Sequence, residues 1–437
     1  MPEHSSYDAI IIGAGVIGAC TAYELARRGW KTLSIDKLPQ AGYGSTSGSC
    51  AIIRTYYSTL EACALAYEGW HHWSNWAQYL GSGEDEDLIS YRNIGCLVVK
   101  TEQNHRLERV CAIMDRIGCP YEHVEPGDIQ RYMPNPDLYQ FHPAKLQDDD
   151  GFGLPTGPQI DGAVFFPKGG YVNDPKLAAF NAQRAAERQG AEFAFNRSVT
   201  DILKTAGQVR GVVVDGDLRI EAPVVINVAG PHSSAINRLC GVDAGMNIST
   251  RALRHEVAHV KAPEGVDFEK HGVVYSDSDI AAYCRPEVGN NVLIGSEDPD
   301  CDEQVWVDDP DHYDDSFSDQ WNVLVMRMAQ RLPDLPIPSR ARGTVALYDV
   351  TEDWMPIYDR SDLDGFYMAV GTSGNQFKNA PVAGKMMARL IEACENGHSH
   401  DTDPVQFHLD HVGLDISMAS FSRNREINQD SSFSVIG

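Results

Sequence analysis

The residues with the clearest chemical meaning stand near the start of the chain. An apolar run over residues 9–12 leads into Gly13-Ala14-Gly15-Val16-Ile17-Gly18. Helix formers follow as far as Gly29, and a second apolar run ends at Asp36. This order predicts strand, tight turn, helix and strand. Gly13 supplies the turn, Gly15 lets backbone approach a pyrophosphate, and Gly18 lets the helix pack on the strand. Val16 and Ile17 open a helix whose positive end meets phosphate charge. Asp36 accepts ribose hydroxyls and disfavours a 2′-phosphate. The chemistry is dinucleotide binding, with NAD and FAD both open at this point.

Residues 42–57 read Gly-Tyr-Gly-Ser-Thr-Ser-Gly-Ser-Cys-Ala-Ile-Ile-Arg-Thr-Tyr-Tyr. These small residues let backbone run along an extended ligand, a device that a nicotinamide dehydrogenase does not need after its second strand. The segment resembles the flavin-contacting loop of the D-amino-acid oxidase superfamily, nearest the sarcosine oxidase branch. Residues 224–231 (Val-Val-Ile-Asn-Val-Ala-Gly-Pro), 342–357 and 371–378 (Gly-Thr-Ser-Gly-Asn-Gln-Phe-Lys) are similar to further family segments, in the same order. The resemblance covers the chain to about residue 400.

The resemblance implies FAD as cofactor. Beyond the glycine turn and Asp36, it implies contacts from Lys37, Ser45, Thr46, Ser47, Arg54, Val199, Ala229 and Gly230. The closing block adds Gly371, Ser373, Gly374, Asn375, Gln376, Phe377 and Lys378. It also implies that Arg54 and Lys378 hold a substrate carboxylate above the flavin, that Tyr348 lies over the ring and that Tyr283 lines the cavity. The bland readings pair Arg54 with an acid, leave Lys378 in solvent and make the tyrosines core aromatics. His255 is expected near the flavin edge or as a structural histidine. In this family an amine loses hydride to the flavin, and the resulting imine is hydrolysed. The expected partners are a small amine or amino acid and oxygen or another electron acceptor.

Departures from the family pattern carry expectations of their own. Ala346 stands where the sarcosine oxidase branch has its flavin-bearing cysteine, so the FAD is expected to be non-covalent, with Cys50 the next attachment candidate. Leu293 falls where that branch has a lysine assisting oxygen reduction, which keeps a dehydrogenase with another acceptor open. Glu297 falls near the family's active-site histidine and would attract positive charge on the substrate. A flavin-binding subunit of a larger dehydrogenase is a further alternative.

The elements that must position these groups follow from patterning. In residues 379–395, Asn379 is expected to cap a helix, Pro381 fits a first turn, and Ala383, Met386, Met387, Leu390 and Ile391 carry helical spacing. Its positive end would favour an anionic reduced flavin. The expected fold is mixed α/β. A Rossmann-like FAD domain (residues 1–92, 166–235, 341–400) is interleaved with a substrate domain (93–165, 236–340) built on an antiparallel sheet. The loops at 148–162 and 298–315 are expected to be solvated, and the tail 401–437 to be polar and peripheral.

Composition bounds the rest. The chain has 437 residues, 36 Lys+Arg against 62 Asp+Glu, and a net charge of −26. That sign opposes nucleic acid and anionic membranes. With 43% hydrophobic and 22% charged residues the chain is globular rather than disordered. Its 10 cysteines include no Cys-x-x-Cys pair, so neither a disulfide framework nor a metal site is read. No apolar run approaches the roughly 20 residues of a membrane span. The expectation is a cytoplasmic monomer or homo-oligomer.

Overall fold

The computed structural model describes residues 6–83 and 86–436; the opening residues 1–5 lie outside them. Ala9–Ile12 has no polar face and is buried along its length, as suits a strand covered on both sides. It lies inside a six-stranded sheet ordered Ile357–Arg360, Phe366–Val370, Val224–Asn227, Ala9–Ile12, Thr32–Asp36 and Glu192–Phe195. All neighbours are parallel except the first pair. Helices Val16–Ala26, Pro175–Arg188 and Ala380–Glu395 pack together on one face. Gly384 makes this close approach possible, since a Cβ there would stand 2.7 Å from the Cys20 carbonyl oxygen.

A second sheet of nine strands has Arg251–Lys261 near one end, where it pairs with three other strands. Asn291–Ser296 pairs antiparallel with its far half, and Gly343–Val350 runs along its other edge. One parallel pairing, Cys96–Val99 with Val274–Asp277, interrupts the antiparallel pattern. Alternation divides the sheet into two faces. Ala258, Val260, Tyr275, Ala282, Cys284, Val292 and Ile294 pack in one core with Trp321, Leu324, Val325 and Met328 of helix Asp319–Arg331. Val274, Ser276, Tyr283, Ala346 and Tyr348 line a cavity instead.

The six-stranded sheet draws its strands from within residues 1–92, 166–235 and 341–400. The nine-stranded sheet also takes Gly343–Val350, so the third of these segments serves both sheets.

The C-terminal region differs from its expected peripheral place. Hairpin strands Gln406–Leu409 and Leu414–Ser417 send Phe407, Leu409 and Ile416 into the main core, joined by Met418 and Phe421. Buried Arg423 bonds Asp359 and Asp401, and Arg425 forks onto Asp353. Scattered apolar and arginine anchors in a polar stretch carry no periodicity, which hides such docking from sequence patterning. Among the described residues no helix is long and apolar enough to cross a membrane.

Candidate active site

The two sheets meet over one cavity of about 790 Å³. Its wall begins at the glycine turn. Gly13 has φ +108°, and a Cβ on it would stand 2.4 Å from the Val228 carbonyl oxygen. Asp36 is locked by the Ala14 and Leu38 N–H groups at 2.7 and 2.9 Å. The Val16 N–H at the helix start donates to Thr46 Oγ1 at 3.1 Å. Ser45 Oγ donates to the Leu347 carbonyl at 2.7 Å, which ties the 45–48 turn to the second sheet. Gly13, Gly15, Val16, Ile17, Gly18, Asp36, Lys37, Ser45, Thr46, Ser47, Val199, Ala229 and Gly230 all border the cavity.

The closing block divides. Gly374, Asn375, Gln376, Phe377 and Lys378 line the cavity, whereas Gly371 and Ser373 stand behind it. The Gly371 N–H donates to Asp349 Oδ2 at 2.6 Å and the Ser373 N–H to the Asp349 carbonyl at 2.7 Å. These two residues shape the turn from behind the wall. Asn379 does not cap the following helix through its side chain; its Nδ2 donates to Gln376 Oε1 at 2.7 Å.

The far end of the cavity carries charge. Arg54 is 8% exposed, with its guanidinium carbon 4.1 Å from the Tyr57 ring centroid, and Lys378 Nζ stands 4.9 Å from the same ring. No carboxylate pairs with either cation among the described residues. Arg54 Nη2 instead donates to the carbonyls of Val435 and Ile436, at 2.8 and 2.5 Å. Lys378 is buried rather than solvated, and its Nζ donates to Tyr57 Oη and the Asn375 carbonyl. Burial, then the Arg54 charge, hold the Lys378 amine well below the usual lysine range.

Glu297 borders the same end. Its Oε1 accepts from Ser276 Oγ at 2.5 Å and the Asp277 N–H at 3.1 Å, and its Oε2 from Ser278 Oγ at 2.8 Å. Burial pushes its carboxyl up to about 7 despite these donors. Tyr283 and Tyr348 both line the cavity, and burial raises both hydroxyls. Gly295 makes room for Tyr283, whose ring stands 2.3 Å from where a Cβ would be. His255 stacks on Tyr348 at 4.1 Å and pairs with Asp298 at 3.2 Å, so it supports the tyrosine from behind the wall.

Several lining residues carry no sequence signal. The 298–315 stretch is not simply solvated: Pro310, Asp311 and Tyr313 border the nucleotide end, where Asp311 bridges Lys37 and His232. Val435 and Ile436 border the far, charged end beside Arg54. An apolar pair closing a polar tail is the one hint the sequence offers. Away from the cavity, Glu68, His72 and His411 have metal-compatible spacing. Glu68 spends both oxygens on the His411 ring and on the N–H groups of His411 and Val412, which makes the trio a staple for the hairpin.

These residues fit FAD. The glycine turn leaves no room for a side chain, Asp36 is fixed at the strand end, and one wall runs from that turn to Lys378. A dinucleotide turn on a parallel sheet, sharing its cavity with a mainly antiparallel sheet, defines a two-sheet flavin oxidoreductase. The sequence profile of the FAD dependent oxidoreductase family (DAO) matches residues 8–390, and the chain belongs to that family. It is similar to the glycine oxidase of Geobacillus kaustophilus, with 24% identity over 423 residues, covering 94% of this chain and 99% of that one. It is also similar to the sarcosine oxidase subunit beta of Rhodobacter capsulatus, with 24% identity over 396 residues, covering 88% and 84%. The same fold occurs in the L-proline dehydrogenase of P. horikoshii, at TM-score 0.73 and 20% identity over 91% of this chain and 95% of that one. The G. kaustophilus glycine oxidase structure gives 0.72 and 21% over 97% and 100%. The protein is an FAD-dependent oxidoreductase.

Proposed function

We propose that the protein oxidises the C–N bond of a small amine bearing a carboxylate, an amino acid or N-alkyl amino acid, to an imine that water hydrolyses. The observation that carries this reading is Arg54, a buried cation in the cavity wall with no carboxylate partner among the described residues. A buried guanidinium without an anion is unfavourable, and a substrate carboxylate would complete it with charge-assisted hydrogen bonds of about 1.5–3 kcal/mol. Lys378, against the same tyrosine ring, would supply a second donor. Glu297 would give the ammonium end a negative neighbour, while Tyr283 and Tyr348 would orient the amine. Bound FAD would supply the two-electron acceptor for the hydride. Ala346 offers no sulfur for a thioether, in keeping with a non-covalent flavin.

A second reading concerns the acceptor. Leu293 stands where the sarcosine oxidase branch has a lysine, and its cross-strand partner Arg285 is already committed to Cys50 and Glu287. With no cation at position 293 itself, an acceptor other than oxygen stays open beside oxygen. The test is anaerobic titration of the holoenzyme with glycine, sarcosine and larger N-alkyl amino acids, compared with the same amines lacking the carboxylate. Flavin bleaching by the carboxylated series alone is expected. Equal bleaching by the series without the carboxylate would remove the assignment of Arg54. Admitting air or a quinone to the bleached enzyme then compares the acceptors.

A further inference from the structure

The chain after Arg425 has an unusual course. It is anchored as far as Ser431, whose Oγ donates to the Asp353 carbonyl at 2.6 Å. Exposed Phe433 then adopts φ +52°, a left-handed conformation that bulky side chains disfavour. This bend sends Val435 and Ile436 into the cavity wall. The Val435 N–H donates to Asp298 Oδ2 at 3.2 Å, and its side chain packs with Leu253, Val350, Trp354 and Tyr348. The Val435 and Ile436 carbonyls then both fall on Arg54 Nη2.

Two carbonyl oxygens on one guanidinium nitrogen present what the two oxygens of a carboxylate would present, without the charge. We propose that residues 432–436 are an internal occupant of the substrate carboxylate subsite, which the substrate carboxylate displaces from Arg54. Val435 and Ile436 are then specificity-determining residues. An incoming ligand must outbid two neutral acceptors, which a carboxylate does because its hydrogen bonds to a cation are about twice as strong. A ligand without an anion does not, and it meets a subsite that is already filled. The strained bend at Phe433 keeps the inserted state from being over-stabilised. This inference rests on the reading of Arg54 as the carboxylate anchor.

The experiment uses acetate as the probe and the flavin absorption band of the holoenzyme as the readout. Apparent affinity falls with the fraction of molecules whose subsite is open. Deletion of residues 432–437 is therefore expected to tighten acetate binding by about 10-fold, and Arg54→Gln to abolish it in either background. Acetate that binds both forms equally overturns the proposal and leaves Arg54 as the anchor. Acetate that binds neither form removes Arg54 as an anion site, and the proposal with it. Should the shortened chain lose its flavin, amide exchange in the full-length holoenzyme decides. The Val435 amide is expected to exchange at least 5-fold faster in saturating acetate; exchange that is unchanged or slower overturns the displacement.

Discussion

Lys378→Met separates a carboxylate anchor from a packed core lysine. In the resting protein Lys378 Nζ lies against Tyr57 Oη and the Asn375 carbonyl, and burial with the Arg54 charge favours its neutral form. A bound carboxylate stabilises the ammonium, so the complex holds a proton that the free protein lacks. Affinity must then fall as pH rises above the resting pKa, by up to about tenfold per pH unit, until the pKa of the complex is passed. Methionine fills similar volume, and Tyr57 keeps its own 2.9 Å bond to Asn375, so the fold should survive. The lost charge-assisted bond is worth about 1.5–3 kcal/mol, or about 10- to 150-fold in Kd at the low-pH end. Toward high pH the variant should converge on the wild type. The assay is acetate binding between pH 6 and 10, because acetate has no ammonium of its own to titrate. A variant with wild-type Kd at low pH, or with the wild-type slope, would refute the reasoning.

Glu297→Gln should flatten the stability profile. Burial raises the native carboxyl to about 7 from its ordinary 4.5, so the folded state holds a proton that the unfolded state has released. Wild-type stability therefore falls between about pH 4.5 and 7, by up to about 3 kcal/mol, and the glutamine variant should lose that slope in denaturant titrations. Matching slopes would show that Glu297 titrates normally. Gly13→Ala should purify with less than about half the wild-type flavin per chain, because its Cβ meets the Val228 carbonyl at 2.4 Å and its φ of +108° suits glycine alone. Full flavin content at normal yield would count against the turn as the pyrophosphate site.

The nucleotide half of the site was legible because its chemistry is local. Gly13, Gly15, Gly18 and Asp36 act within one strand-turn-helix-strand unit, so their spacing in sequence is their spacing in space. The strands Ala9–Ile12 and Val224–Asn227 announce themselves as aliphatic runs. The substrate half is assembled from distant segments. Tyr283 and Tyr348 come from different strands, and Arg54 meets Val435 381 positions away. Resemblance supplied the tyrosines and the two cations; nothing local marks Ser276 or Asp298. Gly371 and Ser373 stand behind the wall, since a glycine block that bends around Asp349 looks the same in sequence as one that lines a cavity.

Under the proposed function, the charges at the far end of the cavity would suit a zwitterion better than a plain amine. Arg54 is a permanent cation, Lys378 becomes one only when an anion arrives, and Glu297 changes charge near neutrality. An amine without a carboxylate would leave Arg54 with carbonyl partners only and give Lys378 no reason to take up a proton. An amino acid satisfies Arg54, draws that proton onto Lys378 and offers its ammonium to Glu297. Discrimination on this basis can reach about 10⁴-fold, because the wrong substrate leaves buried polar groups unpaired, whereas apolar fit alone yields only about 10- to 200-fold per methylene. On the proposed reading, selection of the substrate rests on two cations of unlike kind: one would fix where the carboxylate goes, and the other would respond only once it is there.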